Sequence, residues 1–172
     1  TAFALIIYIG LYNRNSQIAR GFAIILACVI GAFLGDLLTQ VSATGTDQWL
    51  RFQWVGIAFI PAVSLSLSDT LLRATGDTQP LRQLAPKIGY AVGLIVFGLV
   101  LYTPYVATPG ISPDGLPHLT PGPLFYPFTL YYFASVAWAT YNVIEARRRS
   151  LTTTSKRRMT YFALAFAAPA MS

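Results

Sequence analysis

Asp36 and Arg51 are ionisable residues set within apolar stretches. A charge at membrane depth is costly, and it is retained where it pairs or serves a function. The connector between their two stretches is short, so the stretches are expected to be antiparallel neighbours with both groups at similar depth. Two readings stay open. One is an interfacial ion pair that fixes helix register. The other is a polar outer vestibule, shared with Trp49 and Trp54, that holds a ligand or a proton.

The remaining constellations are local. Asp69 and Arg73 stand four apart, which puts acid and base on one helix face, and an arginine in the last turn suits the helix dipole. Ser64, Ser66 and Ser68 alternate along the same stretch, and their hydroxyls read as packing contacts between helices. Pro61 removes one backbone hydrogen bond there and is expected to kink the helix. Gly89, Gly93 and Gly98 permit close helix approach, and the GxxxG spacing of the first two is read as an opening to a partner helix.

Catalytic signatures are missing from the sequence. It has one histidine, His118, and one cysteine, Cys28. That rules out an internal disulfide, bis-histidine haem ligation and a local zinc cluster. It contains no P-loop, GxGxxG or GxSxG. No catalytic residue, metal or cofactor is expected, and the chain is not expected to be an enzyme.

Six hydrophobic segments carry these residues: 1–12, 21–38, 49–72, 88–106, 124–144 and 159–172. The inner four are long enough to cross a hydrocarbon core of about 30 Å as helices. Lipid offers no partners to backbone polar groups, so a span must satisfy them internally. The ten-residue alternation of a membrane β-barrel is absent. The two end segments fall short of the roughly 20 residues a span needs. Both ends are therefore expected to be truncated, and the chain to be one transmembrane domain, 1–172, of a larger protein.

The twelve Lys and Arg residues fix an expected orientation. Arg14 and Arg20 fill the first gap between segments; Arg73, Arg82 and Lys87 fill the third. Arg147, Arg148, Arg149, Lys156, Arg157 and Arg158 fill the fifth, and the second and fourth gaps hold none. Short basic loops stay on the cytoplasmic side. The odd-numbered loops are thus expected inside and the N-terminus outside.

Composition agrees, with 55% hydrophobic and 10% charged residues against about 25% charged in soluble domains. The net charge of +6 is read as topology and contact with anionic headgroups, not as nucleic-acid binding. Aromatic residues mark the outer ends of the segments: Trp49, Phe52 and Trp54; Tyr102 and Tyr105; Phe125, Tyr126, Tyr131 and Tyr132. The outer loop 107–123 holds Pro109, Pro113, Pro117, Pro121 and Pro123. Several of these stand four apart, whereas a polyproline helix repeats every three. The loop is expected to be a chain of turns, which either caps the outer helix ends or is a plain connector.

The stretch from Trp49 through Trp54 and Gly56 to Pro61 has an aromatic start, a glycine, an apolar run and a proline. It resembles the third-helix pattern of the N-terminal seven-helix sensor region of bacterial histidine kinases and related signalling proteins. Gly122, Pro123, Leu124 and Phe125 before an aromatic fifth helix are similar too, as is the basic loop leading to a sixth helix ending in Ala167, Ala168 and Pro169. The resemblance covers about Gly21 to Pro169. It implies an all-α polytopic transmembrane bundle, six segments visible of seven, starting outside and ending inside in a cytoplasmic signalling domain. It also implies the inner membrane of a bacterium. The chain departs from the family in lacking a seventh helix, a phospho-accepting histidine and an ATP-binding motif, so kinase activity is not expected of it.

The function expected is a non-catalytic sensor module that binds a small or lipophilic signal at its outer face and biases a cytoplasmic partner. The alternative is an accessory subunit of a larger membrane complex, held by helix packing and by lipid or pigment contacts. A transporter is third, since neither an internal repeat nor mid-membrane charge is evident. The bilayer and other membrane helices or subunits are the expected partners.

Overall fold

In the computed structural model, the described residues are 4, 6–7, 16–41, 45–76, 80–111, 117–150 and 159–160. In chain order the elements are α1 (Gln17–Val41), α2 (Thr46–Phe52), α3 (Trp54–Arg73), a 3₁₀ turn (Pro80–Gln83) and α4 (Leu84–Tyr102). A hairpin of β1 (Ala107–Ile111) and β2 (Pro117–Pro121) follows, and then α5 (Phe125–Arg149). The expected segments 21–38, 49–72, 88–106 and 124–144 correspond to α1, α2 with α3, α4 and α5. Segments 1–12 and 159–172 lie almost wholly outside the described residues.

Local chemistry sets the boundaries. Ser16 caps α1, its hydroxyl accepting from the Ala19 amide at 3.4 Å. Gly45, at φ +77°, supplies the left-handed residue before α2. Gly76, at φ +93°, turns the chain after α3. Pro86 and Pro127 lie in the first turns of α4 and α5, where no intrahelical N–H bond is lost. α5 continues past the apolar run to take in Arg147, Arg148 and Arg149, charges that suit a helix C-terminus.

α3 is the central element and packs against α1, α4 and α5. A Cβ on Gly56 would meet the Cys28 carbonyl oxygen and Ala32 of α1, and one on Gly35 would meet the Gln53 backbone. Rising numbers on α3 thus match falling numbers on α1, and the two helices are antiparallel. α4 is antiparallel to α3 as well: Gly89 lies against Ala62 and Gly93 against Ala58. The GxxxG pair therefore serves a seam within the chain, against a small-residue stripe on α3, and not an external helix. α5 runs parallel to α3, since Trp54 packs on Phe128 at one end and Ser68 meets Asn142 towards the other.

These directions place Arg20, Arg73, Arg82, Lys87 and Arg147–Arg149 at one end of the bundle. Among the described basic residues Arg51 alone lies at the opposite end. Two apolar clusters bracket α3. One, at the basic end, contains Leu67, Leu71, Leu72, Ala139, Val143 and Ala146. The other, at the Arg51 end, contains Trp54, Val100, Val106, Ala107 and Phe128. α3 passes through Pro61 as a continuous helix. A separate break lies at Gln53, between α2 and α3, where the Gly56 amide bonds back to the Gln53 carbonyl at 3.2 Å.

Loop 107–123 differs from the chain of turns expected of it. Its described parts form an antiparallel hairpin with Thr108 opposite Thr120 and Gly110 opposite His118. Pro109, Pro117 and Pro121 all fall at positions of one parity. Their missing N–H groups belong on the outward side of the ladder, where no bond is lost. The Gly122 amide bonds to the Val106 carbonyl and that of Leu124 to the Tyr105 carbonyl, both at 2.9 Å, tying the hairpin base to α5.

α1, the continuous stretch Thr46–Arg73, and α4 are each long and apolar enough to cross a membrane. α5 has the length, but its tyrosines and Asn142 make it less apolar. Large apolar side chains face outward: Phe33 is 70% exposed, Leu94 66% and Leu130 73%. Such a surface suits lipid and not water.

Candidate functional site

Arg51 is the centre of the polar structure at the hairpin end of the bundle. Its side chain is only 15% exposed. α2 places Asp47 one turn earlier on the same face, and Nε of Arg51 donates to its carboxylate at 3.2 Å. Nη1 reaches across to the last turn of α4, donating to the carbonyl oxygens of Val100 at 2.6 Å, Thr103 at 3.4 Å and Leu101 at 3.5 Å. The final carbonyls of a helix have no intrahelical partner, and a guanidinium there answers both their hydrogen-bonding need and the negative end of the dipole. Arg51 thus ties α2 to α4 through a charged, half-desolvated fork.

The expected Asp36–Arg51 ion pair is not formed. Asp36 lies on the exposed face of α1 and accepts from Gln40 at 3.3 Å. Asp47 takes its place because it sits at i−4 on Arg51's own helix, a closer and better-oriented carboxylate. Sequence reading missed Asp47, although its spacing from Arg51 is the same i,i+4 spacing noticed at Asp69 and Arg73.

The aromatic residues divide. Trp49 is half-buried and stands edge-on to Phe52, with ring centroids 6.2 Å apart. Trp54 is 5% exposed and belongs to the core, packed on Phe128 at 5.5 Å and Phe125 at 6.3 Å. Above it lie the buried Val106 and Ala107 at the root of the hairpin. Arg51, Trp54 and the hairpin base therefore share α4's C-terminal end, whereas Asp36, beside Gly35 at the same end, is exposed and, among the described residues, bonded only within α1.

Towards the other end, Asn142 of α5 is buried and donates from Nδ2 to the Ser68 hydroxyl of α3 at 3.3 Å. Ser68 in turn donates to the Leu65 carbonyl at 2.9 Å. Asn142 Oδ1 is buried without a partner among the described residues. Asp69 and Arg73 pair as expected, at 2.5 Å. Glu145 pairs with Arg149 at 2.9 Å. No group of His, Cys, Asp and Glu that could hold a metal ion occurs among the described residues.

Searches of curated proteins and of solved structures found no match to the chain. The model of the family described as the N-terminal 7TM region of histidine kinase matches residues 1–172. With its apolar spans, central α3 and lack of any kinase motif, the chain belongs to that family as its membrane region and not as the kinase domain.

Proposed function

We propose that this chain is one sensory transmembrane domain that receives a small or lipophilic signal at its Arg51 end and passes it to a cytoplasmic kinase output domain. The Arg51 end faces outward on this reading and the basic end faces the cytoplasm, following the rule for short basic loops. The observation that carries the proposal is the position of Arg51. One largely buried cation holds α4's last turn through three carbonyls while its charge is balanced by Asp47. A signal that offers an oxygen acceptor competes with those carbonyls, and the state in which α4 is released binds it better. Only such differential affinity moves an equilibrium.

α3 and α5 supply the route inward. They run parallel, they are packed on each other at Trp54 and Phe128, and they are joined again at Ser68 and Asn142. α5 then ends in the basic turn Arg147–Arg149.

The test is the autophosphorylation rate of the full-length protein in proteoliposomes. Arg51→Gln is expected to change the rate about fivefold or more, the effect of a coupling of about 1 kcal/mol, with helix content retained. Asp36→Asn is expected to leave it unchanged. A folded Arg51→Gln protein with the wild-type rate overturns the proposal.

A further inference from the structure

α3 carries a second surface that the Arg51 site does not use. Val55, Phe59, Val63, Ser66, Thr70 and Arg73 are spaced by three or four residues and so form one stripe along the helix. At its basic end the stripe lines a cavity of about 330 Å³, closed on the other side by Gln83, Lys87 and Tyr90. These are again residues of one face, belonging to the 3₁₀ turn and α4. At its other half the stripe lines an apolar cavity of about 280 Å³ with Ile24, Ala27 and Cys28 of α1. Tyr90 borders both cavities.

We infer that this seam is a binding site for one anionic phospholipid, its phosphate held by Arg73 and Lys87 and an acyl chain laid against Val63 and Phe59. Three observations select that occupant. Arg73 and Lys87 face the polar cavity from opposite walls; Asp69 also lines it and is balanced by Arg73, so Lys87 supplies the uncompensated positive charge. No carboxylate among the described residues pairs with Lys87. A basic recess between membrane helices is the setting in which anionic headgroups are bound. Polarity then changes along a single stripe, from hydroxyl and cation to purely apolar, as it does along a phospholipid. Finally, Thr70, in the polar recess, lies about 16 Å from Phe59 along the helix at 1.5 Å per residue, which matches one leaflet of a hydrocarbon core about 30 Å thick.

That the lipid sits in the cytoplasmic leaflet rests on the orientation proposed above. Binding itself does not, so the test reads lipid retention and not kinase output. Full-length protein freed of lipid in detergent is titrated with phosphatidylglycerol and, separately, phosphatidylcholine of the same chain length, and bound lipid is counted by native mass spectrometry. Phosphatidylglycerol is expected to bind about fivefold or more tighter. Lys87→Gln, at an exposed position, is expected to weaken it about fivefold, and Lys87→Arg to restore it. Excess inorganic phosphate is expected to leave the lipid bound. The site is overturned if the two lipids bind alike or if Lys87→Gln matches wild type. It is overturned too if Arg20→Gln, which removes a charge at the same end outside the seam, weakens binding as much. Displacement by inorganic phosphate would make the recess an ion site and refute the lipid.

Discussion

Arg51 shows how a single residue can be legible in type and misread in partner. A lone arginine at the start of an apolar run marks a costly charge that must be satisfied, and the structure satisfies it. The carboxylate chosen from the sequence, Asp36, lay across a connector whose geometry sequence cannot fix. Asp47 needed only the i,i+4 rule, once α2 was known to begin at Thr46. The carbonyls of Val100, Leu101 and Thr103 were beyond reach, because backbone acceptors leave no mark on residue type. A double-mutant cycle on thermal stability separates the partners. Asp47→Ala with Arg51→Ala is expected to show a coupling of about 0.5 kcal/mol or more. Asp36→Ala with Arg51→Ala is expected to show none. The reverse pattern would restore the Asp36 pair.

Elements were more legible than contacts. The four inner apolar segments became α1, α2 with α3, α4 and α5 because their length and hydropathy leave helix as the solution in lipid. The hairpin was missed because proline spacing argues against a rod but says nothing of strand pairing. Only the register shows that Pro109, Pro117 and Pro121 share the outward parity. Gly89 and Gly93 were read as a docking motif, yet Ala58 and Ala62 on α3 are the small residues that meet them. The α1–α3 seam depends on one glycine in the same way. A Cβ at Gly56 has nowhere to go, since the Cys28 carbonyl and Ala32 are rigid neighbours. Gly56→Ala is expected to cost about 1–3 kcal/mol in an unfolding titration. Gly31→Ala, which meets nothing within 4 Å, is expected to be neutral or slightly stabilising. Equal effects at the two positions would mean that α1 does not pack on α3 through Gly56.

At the scale of the whole molecule, charge distribution was the clearest sequence signal. Basic gaps alternating with uncharged ones imply helices alternating in direction. The packing of α3 antiparallel to α1 and α4 and parallel to α5 gathers Arg20, Arg73, Lys87 and Arg147–Arg149 at one end. The outward-facing Phe33, Leu94 and Leu130 complete the picture of a lipid-facing bundle. The polar-to-apolar seam between α3 and α4 was not legible, because its two walls come from separate helices. Ser66, Thr70 and Arg73 on one and Gln83 and Lys87 on the other converge only in the fold.

A sensor that reads the outside and drives a kinase inside requires the Arg51 end and the basic end to lie on opposite sides of the membrane. Labelling of single added cysteines with a membrane-impermeant maleimide tests this directly, against the low background of the buried Cys28. Gln48→Cys and Pro121→Cys, at exposed positions of the Arg51 end, are expected to label in intact cells. Gln83→Cys and Arg148→Cys, exposed at the basic end, are expected to label only after the cells are permeabilised. Labelling of the second pair and not the first in intact cells would put Arg51 in the cytoplasm and contradict the account.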